Sequence, residues 1–365
     1  MTRFAFVIHP LTPRDAARAL PIARFLPDRV LELFLALKSP VTVSKISGIR
    51  SRTGATTEGW FIGCPLTPRL MTRGLPLARV YRRLNQCAER AAELGADLIG
   101  LGAFTSVVGD GGITVRAHSP IGVTTGNSYT VATAIEGTVR ACQLLDLSTR
   151  HATLAVVGAT GSIGRTCAQI LGPQFARTLL IGRDPVRTET VARDIPNAAV
   201  ESDFSALRHA DAVITVTSSE SSVINPTMLK QGAVVCDVAR PRDVSTRVAS
   251  ERPDVLVIEG GMVRVPGTVD FGFNFGFPTG TAYACMSETM LLALEGDPAQ
   301  FDFTLGKSVS VDQVNRITAM ADRHGFELAG FRAFETAVDA RMIERARLAR
   351  IPAVARLAGR GTPGA

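Results

Sequence analysis

Three glycines, Gly158, Gly161 and Gly164, constrain this chain more than any other feature. They follow a short run over residues 152–157, apolar apart from Thr153, and open a helical segment toward Leu171. A buried strand entering a helix through Gly-x-x-Gly-x-x-Gly has the form of a dinucleotide-binding turn. Gly158 permits the tight turn, Gly161 lets backbone approach a pyrophosphate, and Gly164 lets helix and strand close on each other. The helix start then offers unpaired N–H groups to phosphate. Glycine-rich turns often bind nothing, so the surroundings have to support the reading. Here they do. Further apolar runs stand at 178–181, 198–201, 211–216, 233–237 and 255–258, separated by helical or turn-like stretches. That alternation predicts an α/β fold with a central Rossmann-type, doubly wound parallel sheet.

Cofactor choice turns on the end of the second run. A carboxylate there suits the ribose hydroxyls of NAD, and a cation suits the 2′-phosphate of NADP. Arg183 stands roughly twenty residues beyond the glycines and favours NADPH, while Asp184 beside it leaves NAD open. The expected cofactor contacts are Gly158, Ala159, Thr160, Gly161, Ser162, Ile163, Gly164, Arg183 and Thr217, the last directly after the run 211–216.

Around this core, residues 1–150 read as an N-terminal α/β substrate domain. It has an opening strand at 4–8, an amphipathic helix over 76–94 closed by Gly95, and a second long helix after Thr125-Gly126-Asn127. Residues 151–270 form the expected NADP-binding domain. Residues 271–340 read as C-terminal helices, and 341–365 as a basic, disordered tail. The tail matters for charge. The chain carries +7, but six arginines and one glutamate place +5 of it beyond residue 340. The nearly neutral body argues against nucleic acid as partner. If helical, the tail offers peripheral association with anionic membranes. No apolar run approaches the roughly 18 residues of a membrane span. Six scattered cysteines without metal-ligand spacing point to the reducing cytoplasm and to no metal.

Five of those cysteines, Cys64, Cys87, Cys142, Cys167 and Cys236, read as packing residues. Cys285 differs: it lies in the first turn of a helix introduced by Pro278-Thr279-Gly280. Helix N–H groups and dipole there favour thiolate over thiol and make a nucleophile.

Taken together, the blocks Gly102-Ala103-Phe104-Thr105-Ser106, Thr125-Gly126-Asn127, the 156–164 glycine turn, 255–261, Ala284-Cys285 with Glu288-Thr289-Met290, and Arg323-His324-Gly325-Phe326 resemble the long-chain acyl-carrier-protein reductases of cyanobacteria. The resemblance covers most of residues 4–330. It implies a fatty acyl thioester of acyl carrier protein or coenzyme A as substrate, Cys285 as the acylated nucleophile, NADPH as hydride donor and a fatty aldehyde as product. Asn127 and Ser128 are candidate oxyanion donors, with N-capping as the alternative. Tyr283 is a candidate proton donor or a packing residue. The segment 264–278, with Phe271, Phe273, Phe275 and Phe277, departs from that family, as does the tail. Arg69, Arg73, Arg79, Arg82 and Arg83 offer a basic patch to an acidic carrier, or a merely solvated face. The five histidines form no triad or metal pattern, and His324 is expected at a helix C-terminus. Two other readings remain: a reductase of a small hydroxy or keto acid, as in the shikimate dehydrogenase group, and a dinucleotide-binding protein without turnover.

Overall fold

The computed structural model describes residues 1–16 and 26–351. The chain forms two compact units, each assembled from two stretches of sequence. The first comprises Met1–Thr133 and Gly261–Ala329, the second Ala134–Gly260 and Gly330–Ala365.

The first unit is built on a six-stranded sheet. Its order is Gly267–Asp270, Val41–Arg50, Thr56–Gly63, Phe4–Ile8, Leu98–Gly100, Gly122–Thr124. The last four run parallel, and the first two join antiparallel. Alternation along Phe4–Ile8 shows why both faces are covered. Phe4 and Phe6 share one core with Met290, Leu291 and Ile317, whereas Ala5 and Val7 share the other with Val80, Leu84 and Cys87. The helix Leu77–Glu93 is amphipathic and buries only one stripe. The helix Ala284–Glu295 is apolar nearly all round and buries ten of its twelve residues, as a core helix should. It runs against the parallel strands. Cys285 abuts Gly126, just past the carboxyl end of Gly122–Thr124, while Gly296 lies by Thr2, ahead of Phe4–Ile8. The helix Val311–His324 is fixed by a Ser310/Gln313 capping box and by left-handed Gly325.

The second unit holds a fully parallel sheet in the order Leu256–Glu259, Val234–Asp237, Ala212–Thr215, Thr153–Val157, Arg177–Ile181, Ala198–Glu201. Numbered along the chain this is 6-5-4-1-2-3, the doubly wound dinucleotide-binding topology. The switch point lies between Thr153–Val157 and Ala212–Thr215.

The expected boundaries change: the first unit's N-terminal stretch ends at Thr133 rather than 150, and residues 330–340 join the second unit. Residues 261–329 do not form a separate C-terminal segment after a domain ending at 270. Gly267–Asp270 pairs with Val41–Arg50, and Ala284–Glu295 fills the core beneath Phe4 and Phe6, so this stretch belongs with the N-terminal unit. The expected disordered tail begins instead as the helix Ala340–Arg350, capped by Asp339. Arg350 donates to the Gly232 carbonyl at 3.0 Å and pairs with Asp211, and Arg347 pairs with Asp146 at 3.1 Å. Two of the arginines assigned to a free basic tail are therefore spent within the second unit; residues 352–365 lie outside the described set. No helix among the described residues is long and apolar enough to cross a membrane.

Candidate functional site

In the second unit the glycine turn has the geometry its sequence demands. Gly158 adopts φ +82°, and a Cβ there would lie 2.5 Å from the Val216 carbonyl oxygen. A Cβ on Gly164 would press on Gly158, 2.9 Å from its carbonyl carbon, so helix and strand meet with no room for a side chain. Gly161, at the N-cap of Ser162–Leu171, is different. A Cβ there would meet only the Gly158 oxygen, at 3.3 Å, and its other side is open. The turn thus fits a pyrophosphate. At the next strand end, the Asp184 carboxylate accepts the Arg187 N–H at 3.2 Å and caps the helix Pro185–Ala192. Arg183 is exposed and has no ion-pair partner among the described residues. Thr217 is not a free ligand group: its hydroxyl and N–H both donate to the fully buried Asp243, which also takes the Thr215 hydroxyl at 2.6 Å. Asp243 was not legible as a site residue, yet it shapes the loop after the fourth strand. Nearby, burial pushes Asp237 up to about 6.

Across both units the cysteines fall into two groups. Five are buried, and burial pushes Cys142 and Cys236 up to about 12. Cys285 alone is partly exposed. Residues 281–283 are a short strand, so Cys285 is the second residue of its helix, where unpaired N–H groups favour negative charge. Against it lies Gly126, at φ +73°. A Cβ on Gly126 would fall 2.5 Å from the Cys285 Cβ and 2.6 Å from its carbonyl oxygen. Only glycine lets these two backbones meet.

Asn127 opens the helix Asn127–Leu144 and is 4% exposed. Its amide makes no hydrogen bond among the described residues, so the N-capping alternative does not hold and the amide stays unspent. Ser128 is spent, sharing a 2.6 Å hydrogen bond with Thr304. Tyr283 precedes the cysteine helix and packs on Phe277, ring centroids 4.4 Å apart. Through Phe277 and Phe275 that contact continues to Phe61, forming an unbroken path of rings from the core to the entrance of the Cys285 helix.

Sequence reasoning passed over two polar groups here. Glu288, one turn beyond Cys285, is fully buried; it accepts the Thr124 hydroxyl at 2.6 Å and the Tyr129 N–H at 3.0 Å. An acid amid the apolar residues of a core helix was the available signal. His9 lies past the carboxyl end of Phe4–Ile8. Its Nε2 accepts the Phe104 N–H at 3.3 Å, Nδ1 donates to the Pro10 carbonyl, and desolvation lowers it to about 4. That bond steadies Ala103, a non-glycine residue at φ +48°, a conformation costing about 1–3 kcal/mol.

The expectation of no histidine constellation needs correction. His324 does end its helix, but Nδ1 bonds the Ser51 hydroxyl at 2.8 Å and Nε2 bonds Glu295 at 2.9 Å. Ser51 and His324 are 5% and 3% exposed, and the row ties a hairpin turn to two helix ends. These partners, 273 and 29 residues distant, meet only through the fold. Of the basic patch, Arg69 pairs with buried Glu32 and Arg83 bonds Gln86 and the Ala36 carbonyl, while Arg69, Arg73, Arg79 and Arg82 are exposed.

Comparisons with known proteins cover different shares of the chain. Residues 140–259 match the Shikimate / quinate 5-dehydrogenase family, essentially the Rossmann half of the second unit. Across 89% of its length the chain is 31% identical to "Aminotransferase PigE" of Serratia sp., spanning only 39% of that protein. It is 27% identical over 86% of its length to the "Long-chain acyl-[acyl-carrier-protein] reductase" of Synechococcus elongatus, covering 94% of it. Among solved structures, glutamyl-tRNA reductase from Methanopyrus kandleri aligns at 24% identity and a TM-score of 0.30, over 49% of this chain and 46% of that one.

Proposed function

We propose that this protein is an NADPH-dependent oxidoreductase that reduces a long-chain fatty acyl thioester to an aldehyde through an acyl-enzyme on Cys285. The observation carrying this reading is the setting of Cys285, the partly exposed cysteine, at a helix start and against a glycine backbone. Similarity to the Synechococcus elongatus reductase over nearly its whole length supports it.

The Cys285 thiolate attacks the thioester carbonyl carbon. The carbon–sulfur bond to the carrier breaks, the carrier leaves as a thiolate that takes a proton from solvent, and the acyl group stays on Sγ. Gly158, Gly161, Gly164 and Arg183 would hold NADPH, which when bound supplies the hydride. Each tetrahedral stage places negative charge on oxygen, and the unspent Asn127 amide is the group proposed to donate to it. Tyr283 is proposed to protonate the oxyanion left by hydride transfer and to take that proton back as the hemithioacetal collapses to aldehyde and the Cys285 thiolate. An acyl carrier protein or coenzyme A would deliver the substrate, with Arg73, Arg79 and Arg82 as exposed cations for an acidic carrier.

The test is direct. Acyl-CoA without NADPH should give a covalent adduct at Cys285 by intact mass and peptide mapping, and NADPH should then release aldehyde. No adduct, or aldehyde formation that survives Cys285→Ala, defeats the proposal. The match of residues 140–259 favours a second reading, oxidation of a small hydroxy acid of the shikimate or quinate kind. Under that reading Cys285→Ala would keep full activity with such a substrate.

A further inference from the structure

We propose that Glu288 is the positioning residue of the Cys285 site: its carboxyl supplies, from a neighbouring helix, the cap that Gly126 cannot provide, and thereby holds the helix start at Gly126 and Asn127 beside the nucleophile. This rests on the role given to Cys285 above. A helix start is ordinarily capped by a Ser, Thr, Asp or Asn side chain that accepts the N–H of the second or third helical residue. Gly126 occupies that place before Asn127–Leu144, since its carbonyl accepts the Thr130 N–H at 3.2 Å. It has no side chain to offer, and any Cβ would run into Cys285. Close approach and capping are therefore incompatible in one residue.

Glu288 resolves the conflict. The third helical N–H, that of Tyr129, donates to its carboxyl at 3.0 Å, and the Thr124 hydroxyl donates to the other oxygen at 2.6 Å. Both ends of the segment 124–129 are thus tied to the helix that carries Cys285, one turn from the thiol. Burial raises the Glu288 pKa against the pull of these hydrogen bonds, so a carboxyl is kept here at an energetic cost. The neighbouring polar groups are also engaged: Ser128 with Thr304, and Thr125 with the Thr304 carbonyl at 2.9 and 3.1 Å. Asn127 is the polar side chain of this segment left unspent, and Glu288 fixes where it stands.

A double-mutant cycle decides the matter. Single-turnover acylation of Cys285 by palmitoyl-CoA is measured by intact mass in the wild type, Glu288→Gln, Asn127→Ala and the double variant. If Glu288 acts through Asn127, each single change slows acylation by about 10- to 100-fold, and the double variant is no more than about threefold slower than the worse single. Losses that multiply overturn the inference. A second readout needs no acyl chemistry: hydrogen exchange at the Tyr129 N–H should quicken at least about tenfold in Glu288→Ala relative to the mid-helix Thr138 N–H. Unchanged relative exchange overturns the cap. If the wild type takes no acyl group, the proposed function falls and positioning for acylation falls with it; exchange alone then decides the cap.

Discussion

Gly126→Ala isolates the contact on which the proposed chemistry depends. Two costs are separable. Alanine at φ +73° carries a left-handed penalty of about 1–2 kcal/mol. Its Cβ would also stand 2.5 Å from the Cys285 Cβ, where ordinary contact begins at 3.4 Å. The two backbones must then part by about 1 Å, and forced repacking of this kind costs about 1–3 kcal/mol. Together these destabilise the fold by about 3 kcal/mol. A displacement of that size between reacting groups slows chemistry by about 100-fold. Gly54→Ala is the matched control: φ is +90°, yet nothing lies within 4 Å of the new Cβ. It should show the left-handed penalty alone and acylate at the wild-type rate. Urea unfolding gives the stabilities, and single-turnover acylation by palmitoyl-CoA gives the rates. If Gly126→Ala acylates within threefold of Gly54→Ala, the contact between Gly126 and Cys285 does not set the reacting geometry.

In the glycine turn, Gly161→Ala should leave stability within about 0.5 kcal/mol but raise the Kd for NADPH at least about tenfold, read by fluorescence titration. Arg183→Glu should lower the preference for NADPH over NADH by at least about tenfold in kcat/KM, and an unchanged ratio removes Arg183 from the 2′-phosphate. Phe275→Ala interrupts the path of rings toward Tyr283 and should lower the ratio of kcat/KM for stearoyl- over octanoyl-CoA by about tenfold, since each methylene removed from water is worth about 0.8 kcal/mol. His9 titrates at about 4 in the native protein against an ordinary 6.5. Its depressed pKa contributes stability that is full above 6.5 and lost as pH falls through about 4, roughly 3 kcal/mol in all. His9→Gln should flatten that limb in urea unfolding at successive pH values.

The sequence made the second unit largely legible because its signals are local. The strand before Gly158, the helix after Gly164 and the recurring apolar runs each declare themselves within ten residues, and the topology follows from their order. The first unit resisted because its decisive pairings are remote. Nothing near Gly267 announces that it borders Ile49, and Asp302, which accepts the Val123 N–H, is 179 residues away. The site divides the same way. The helix-start position of Cys285 and the turn at Gly158 were readable from spacing. The partners that decide whether Asn127, Ser128 and Thr217 are free or spent came from Thr304 and Asp243, which no periodicity links to them.

That division bears on what decides the reaction. The family match over residues 140–259 coincides with the unit holding the glycine turn, and a dinucleotide fold of this kind serves hydroxy-acid and thioester chemistry alike. Under the proposed function the choice would lie in Cys285, Gly126, Asn127 and Glu288, all within the first unit, where Gly126 abuts the cysteine, the Asn127 amide is unspent and a buried carboxyl stands one turn away. A hydroxy-acid dehydrogenase transfers hydride without a covalent intermediate and gains nothing from these features. If Glu288→Gln, Asn127→Ala and Cys285→Ala leave every reductase activity intact, the first unit is merely a substrate-binding domain. If all three act on one acylation step, the chemistry was decided outside the matched family region.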